Sequence, residues 1–337
     1  MPSLERESNR IVIAGASSLL GAELKSLLEE SRFAAADFRL LDEELAAGTL
    51  TEAGGEPAVI QPVEEGSFER ARFVFFTGSA EFTRRNVVGA KRGGAKIIDL
   101  SGGIAGEAGT VAWFPKLDAL LGREFPAGAA AYAVPSAPAT AAAALAFALS
   151  KSGLRNLAMI FFQPVSEAGR AGVEELESQT GELLSFQNIG QPVFDAQVAF
   201  NMLDRFGPGS AQKLAAIRER WRAETRACIG EKAALPSIEA VHAPVFYGTA
   251  FAAWAELEAR ADTDAGKISE ACRSAGFSLA DDSDAGPSNV SAAGEKSVQL
   301  AKPEADPSQA GHWWFWGAAD NIRLPAANAV KLAETLS

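Results

Sequence analysis

Short apolar runs, each ending in glycine or polar residues and separated by helix-length stretches, organise the first third of this chain. Ile11-Val12-Ile13-Ala14 leads into Gly15-Ala16-Ser17-Ser18-Leu19-Leu20-Gly21, after which Leu24, Leu27 and Leu28 recur at helical spacing. That order is strand, glycine turn, helix. Phe38-Arg39-Leu40-Leu41 runs into Asp42, Phe73-Val74-Phe75-Phe76 is closed by Gly78, and Lys96-Ile97-Ile98-Asp99-Leu100 by Ser101-Gly102-Gly103. Such strands predict βαβ units and a doubly wound parallel sheet. Their carboxyl ends are where a sheet of that kind takes a ligand.

The pattern then changes. Residues 127–148 are alanine-rich around Val134-Pro135-Ser136-Ala137-Pro138, and 139–150 predict a close-packed buried helix. Strands are predicted at 157–162, 241–246 and 251–257, and one long helix at 211–230. The block Trp313-Trp314-Phe315-Trp316 predicts a further strand and 325–336 an amphipathic closing helix. Residues 281–311, rich in Ser, Asp, Gly, Pro and Ala, predict loops or a mobile connection.

Composition narrows the function. A length of 337 residues, 47% hydrophobic and 22% charged, suits one large or two ordinary domains. A net charge of −12 offers no footprint for nucleic acid or an anionic membrane. Two cysteines, Cys228 and Cys272, and two histidines, His242 and His312, provide neither a disulfide framework nor a zinc-binding pattern. No apolar run reaches the roughly 20 residues of a membrane span. The polar first ten residues do not read as a signal peptide, so a cytoplasmic protein is expected.

A glycine turn between strand and helix lets backbone amides approach a pyrophosphate at the helix N-terminus. Gly15 and Gly21 with Ser18 between them form a weaker version of the GxGxxG pattern, which a plain tight connection also explains. Asp42, 27 residues after Gly15 and followed by Glu43 and Glu44, sits where an acid accepts ribose hydroxyls and repels a 2′-phosphate. NAD is then expected over NADP, unless these acids only solvate a surface turn.

Taken together, these segments resemble the aspartate-β-semialdehyde dehydrogenase family. The turn 15–21 is similar to its GATGxVG, KIIDLSG at 96–102 to VVIDxSS, FFQPVSEAGRAG at 161–172 to YQxxSGAGxxG, HAPVFYG at 242–248 to RVPVxxGH, and ADNIRLPAANAVKLA at 319–333 to ADNLRKGAAxNAVQIA; Ala199 to Met202 resembles AFN. The resemblance implies a Rossmann-like nucleotide domain (1–131 plus 320–337) and an inserted α+β substrate and dimerisation domain (132–319). A homodimer and NAD or NADP as cofactor are expected. The implied cofactor contacts are Gly15, Ser17, Ser18, Leu19, Gly21, Asp42, Gly78, Ser101 and Asn321.

The same resemblance exposes what is missing. Family members reduce β-aspartyl phosphate through a thioester on a cysteine at a helix N-terminus, with a histidine as acid and base. Here Pro138 falls at the cysteine position and a shift offers only Ala137 or Ser136. Thr249 stands for the histidine, and His242 for the arginine that holds the substrate carboxylate. Arg218 and Ile217 stand where an acid holds the substrate ammonium, and Gly103, Ile104 and Ala105 where a phosphate arginine belongs; Glu167 replaces a glycine. Gln163, matching the glutamine that orients the acyl group, is retained. The chain looks like a divergent branch without the cysteine, and no catalytic residue of the parent reaction is expected. Three readings follow: an impaired homologue that still binds nucleotide and acts as regulator, scaffold or partner subunit; an active NAD-dependent oxidoreductase on another substrate, with His242 as proton donor; and a structural dimer without nucleotide.

Overall fold

The computed structural model describes residues 9–53, 55–258, 264–280 and 285–337. The chain forms two compact units. The first comprises the described residues up to Phe114, Phe125–Val134 and Pro325–Ser337; the second comprises Pro115–Glu124 and the described part of Pro135–Leu324. The expectation placed the changeovers at 131/132 and 319/320, and gave 115–124 to the first part. Those ten residues belong to the second unit, where Lys116 Nζ donates to the Arg273 carbonyl at 3.0 Å.

In the first unit, strands β1 (Arg10–Ala14), β2 (Asp37–Asp42), β5 (Gln61–Pro62), β6 (Ala71–Phe76), β7 (Lys96–Asp99), β8 (Thr110–Ala112) and β9 (Ala131–Ala133) form one sheet in the order β5-β2-β1-β6-β7-β9-β8. A separate hairpin joins β3 (Leu50–Ala53) to β4 (Glu56–Val59). All pairings in the seven-stranded sheet are parallel. Helices on both faces explain why β1 is an unbroken apolar run instead of an alternating one. Ile11, Ile13, Phe73 and Phe75 pack with Leu24, Leu27 and Leu28 of α1 (Leu19–Glu29) and with Ala329 and Leu332 of α8 (Arg323–Thr335). Val12, Ala14, Val74 and Phe76 face the opposite way, onto Phe82, Val87 and Ala90 of α2 (Ala80–Arg92). The chain leaves β1 toward β2 and later returns on its other side as β6. That reversal puts the switch point, and the crevice for a ligand, at the carboxyl ends of β1 and β6.

The second unit is built on a mixed sheet of β11 (Ser237–His242), β10 (Leu154–Gln163), β12 (Thr249–Leu257), β16 (His312–Ala319), β14 (Gln299–Leu300) and β13 (Ser278–Leu279), in that order, with β15 (Glu304–Ala305) also on β16. Its helices are α3 (Leu117–Leu121), α4 (Ala137–Ser150), α5 (Gly169–Leu184), α6 (Leu214–Ile229) and α7 (Ala265–Ala275). Alternation along β10 buries Leu157, Met159, Phe161 and Gln163 and turns Ala158, Ile160 and Phe162 outward. The alanine-rich α4 is buried over Ala137–Leu149, as a helix apolar on every side must be. Small side chains let α6 and α7 approach it closely.

One expectation needs correction. The apolar run 241–246 is not a strand: β11 starts four residues earlier and stops at His242. Pro244 has no N–H for a ladder, and the Val245 N–H turns back to the Ala243 carbonyl at 2.8 Å. Of the loop predicted at 281–311, residues 281–284 lie outside the described residues. The rest is irregular apart from β14 and β15, which pair with β16.

Candidate functional site

In the first unit the glycine turn closes on the switch point. Gly15 has φ +98°, a conformation that disfavours any residue with a side chain. A Cβ there would lie 2.5 Å from Gly78 Cα and closer still to its nitrogen. Gly15 and Gly78 therefore bring the turns after β1 and β6 into backbone contact. Ser18 is the N-cap of α1: its Oγ accepts from the Gly21 N–H at 2.9 Å and lies 2.8 Å from the Gly15 carbonyl. A Cβ at Gly21 would meet the Gly15 carbonyl oxygen at 2.5 Å. With Gly21 capped, the Leu19 and Leu20 amides remain at the open end of the helix, the arrangement that suits a phosphate.

Asp42, at the end of β2, is 8% exposed. Its carboxylate accepts the Ser17 N–H at 2.7 Å and the Glu43 N–H at 2.8 Å. It thus pins the glycine turn to the second strand. A cavity of about 360 Å³ opens beside it, with Phe82, Val63 and Leu45 as apolar walls and Glu43 and Arg85 at the polar edge. Ser101 lies two strands from β1, at the end of β7. Its hydroxyl bonds Asp99 Oδ1 at 2.6 Å and Thr83 Oγ1 at 2.8 Å and accepts the Gly103 N–H at 3.0 Å. Asp99 is the buried centre of that loop. Desolvation pushes its carboxyl above the usual range, opposed by hydrogen bonds from Ser101 and Ile104.

The second unit gathers a different set. Gln163 and His242 are register partners in parallel strands, while Phe162 pairs with Ala250, which puts Thr249 next to Gln163 across the sheet. All three face the helix-covered side and are no more than 2% exposed. Gln163 Oε1, Thr249 Oγ1 and His242 Nδ1 have no hydrogen-bond partner among the described residues. The other His242 ring nitrogen, Nε2, bonds the Val198 carbonyl at 3.2 Å, and the ring packs against Phe194 and Phe206. Desolvation holds its pKa below the ordinary histidine value, against that hydrogen bond. His242 is therefore neutral near pH 7.

At the start of α4, Ser136 is the N-cap, Ala137 the first residue and Pro138 the second. Ser136 donates its O–H to Glu224 Oε2 at 2.5 Å, and its backbone N–H to the same oxygen at 3.0 Å. Glu224 is 4% exposed. Arg220, one turn earlier on α6, reaches Glu224 at 3.7 Å and Glu167 at 3.1 Å. Asn321 donates to Glu167 Oε1 and to Ser166 Oγ, both at 3.1 Å, and accepts the Gly248 N–H at 2.9 Å. A continuous polar chain runs from Ser136 to Asn321. Glu224 and Arg220 were not singled out in the sequence. The two thiols lie elsewhere, on α6 and α7, both buried. Desolvation raises Cys228 far above the ordinary range and pushes Cys272 up to about 12.

A doubly wound sheet with a glycine turn at its switch point, accompanied by a mixed-sheet unit, is a fold of the dinucleotide-binding class. Residues 10–136 match the semialdehyde dehydrogenase NAD-binding domain and residues 148–324 the semialdehyde dehydrogenase dimerisation domain. The chain belongs to the semialdehyde dehydrogenase family. It is 29% identical over 331 residues to a USG-1 protein homolog of Azotobacter vinelandii and 26% identical to aspartate-semialdehyde dehydrogenase 2 of Vibrio cholerae, with 97% of each chain covered. A probable aspartate-semialdehyde dehydrogenase from Pseudomonas aeruginosa superposes with a TM-score of 0.83 at 26% identity, covering 97% of this chain and 98% of that one. Aspartate semialdehyde dehydrogenase II from Vibrio cholerae gives a TM-score of 0.83 at 25% identity, with the same coverage.

Proposed function

We propose that this protein binds a nicotinamide dinucleotide, NAD in preference to NADP, but belongs to a branch of its family that does not run the cysteine-dependent reduction of an acyl phosphate. The observation that carries the second half is the start of α4. Ser136, Ala137 and Pro138 supply no thiol there, and the Glu224 carboxylate bonds the N-cap. Cys228 and Cys272 are buried with raised pKa values, so neither supplies a thiolate near neutral pH. Thr249 is no base, and His242 is fully buried against Phe194 and Phe206. Loss of one member of a catalytic unit already costs orders of magnitude, and further losses add little.

The glycine turn fits a dinucleotide: Gly15 and Gly78 let the turns after β1 and β6 meet at the switch point, with the α1 N-terminus beside them. When bound, the dinucleotide supplies hydride exchange. The amides of Leu19 and Leu20 would hold the pyrophosphate, Asp42 keeps the turn in shape, and the cavity at Glu43 would receive the adenosine. Similarity to relatives named aspartate-semialdehyde dehydrogenase over 97% of the chain supports this assignment.

A homodimer accompanies this reading. Ile160, Trp314 and Trp316 are 44%, 47% and 41% exposed on the side of the second sheet away from its helices. A contiguous aromatic face of this kind is more often covered than left in water. Equilibrium sedimentation should show twice the chain mass, and a monomer at micromolar concentration would refute it. The reaction itself is tested by phosphate-dependent NAD(P) reduction with aspartate semialdehyde. No turnover above background is expected, and ordinary enzyme rates would overturn the proposal.

A further inference from the structure

We infer that the Glu43–Arg85 ion pair is the cofactor selector of the first unit: Glu43 turns away a 2′-phosphate, and also occupies Arg85, an arginine at the cavity that could bind it. The inference rests on the proposal that this unit binds a dinucleotide and goes beyond it by locating the discrimination. The acid expected to discriminate from its position after β2 is Asp42, but both oxygens of its carboxylate already accept backbone N–H groups. It is a poor candidate for sensing a group added to the ribose. Glu43 is the next residue. Its backbone is fixed by that same Asp42 carboxylate, and its side chain lines the cavity.

Arg85 reaches the same cavity from α2, one turn after Phe82, which forms an apolar wall. Arg85 Nη2 and Glu43 Oε1 are 2.7 Å apart, with side chains 57% and 47% exposed. An ion pair that exposed is weakly held. It is a contact that one partner can leave. A dinucleotide lacking the 2′-phosphate leaves the pair intact. A 2′-phosphate entering here meets the Glu43 carboxylate, with Glu44 also lining the cavity, while the guanidinium that would match it bidentately is engaged. With Glu43 neutralised, Arg85 keeps its place on the helix and gains a free guanidinium facing the site.

The test is calorimetric titration of the full chain with NAD and with NADP, for the wild type, Glu43→Gln, Arg85→Gln and the double variant, reading the ratio of the two Kd values. Wild type should favour NAD by about five-fold, the scale of one unit-charge contact in a water-exposed site. Glu43→Gln should invert the ratio in favour of NADP, and Arg85→Gln on that background should bring it back to about one. A ratio that ignores Glu43→Gln, or a preference for NADP that survives loss of Arg85, overturns the selector while leaving dinucleotide binding in place. Failure of the wild type to bind either dinucleotide overturns the binding proposal itself, and the selector with it. Both side chains are exposed, so a matching thermal melt for each variant separates selection from misfolding.

Discussion

Replacing Asp42 by asparagine separates two roles for this residue. An acid that only touches ribose could be changed without consequence for the folded protein. In the structure two N–H donors, from Ser17 and Glu43, point at its carboxylate from 2.7 and 2.8 Å. Asparagine can offer an oxygen to one of them and must place its own N–H₂ against the other. Hydrogen bonds to a charged acceptor contribute about 1.5–3 kcal/mol each. Losing one outright and the charge from the other should cost about 2–3 kcal/mol, reduced where the neighbouring cavity lets water reach the orphaned N–H. For domains of this size about 1 kcal/mol moves Tm by roughly 2–4 °C, so the melt should fall by about 4–12 °C. Differential scanning calorimetry without nucleotide reads this directly. Dinucleotide affinity should fall with it, because the Ser17 amide belongs to the turn that Asp42 holds. An unchanged Tm would show that the carboxylate does not pin the turn.

Three further outcomes test other parts of the account. Glu224→Ala removes the acceptor for both the Ser136 N–H and O–H, and should destabilise the second unit by about 2–4 kcal/mol in urea unfolding, with Glu224→Gln costing about half as much; a loss below about 1 kcal/mol would show that the contact does not cap α4. His242 has a folded pKa below its unfolded value of 6.5, so the unfolded chain takes up a proton first. Stability should therefore fall as pH drops below about 6.5 and level off once folded His242 itself protonates; His242→Gln should flatten that slope, and an identical slope in the variant would reject the assignment. Finally, both cysteines should resist a water-soluble disulfide reagent in the native protein and react fully in denaturant; rapid native labelling of either would contradict their burial.

The nucleotide unit was legible in the sequence because its strands are buried on both faces. Continuous apolar runs such as Ile11-Val12-Ile13-Ala14 cannot be mistaken for amphipathic elements, and glycines such as Gly15 and Gly78 just past the runs mark a backbone that must bend or approach closely. The end of β11 was misplaced because apolar character continues through Val245 and Phe246, while a missing N–H at Pro244 ends the ladder. Asp42 was found, but its two backbone partners were not, since a side chain's hydrogen bonds depend on how strand and turn meet in space. The same holds for Ser136 and Glu224, 88 residues apart. Nothing local in either segment announces the other. Arg85 has no motif at all; only the packing of α2 against the β2 loop brings it to Glu43.

The central claim is that the dinucleotide site is kept while the acyl-transfer chemistry is gone. It is tested most directly by titrating the purified protein with NAD in a calorimeter and then assaying the same sample with aspartate semialdehyde, phosphate and NAD(P). The account predicts micromolar binding without turnover. Turnover at ordinary enzyme rates, or no detectable binding of either dinucleotide, would contradict it.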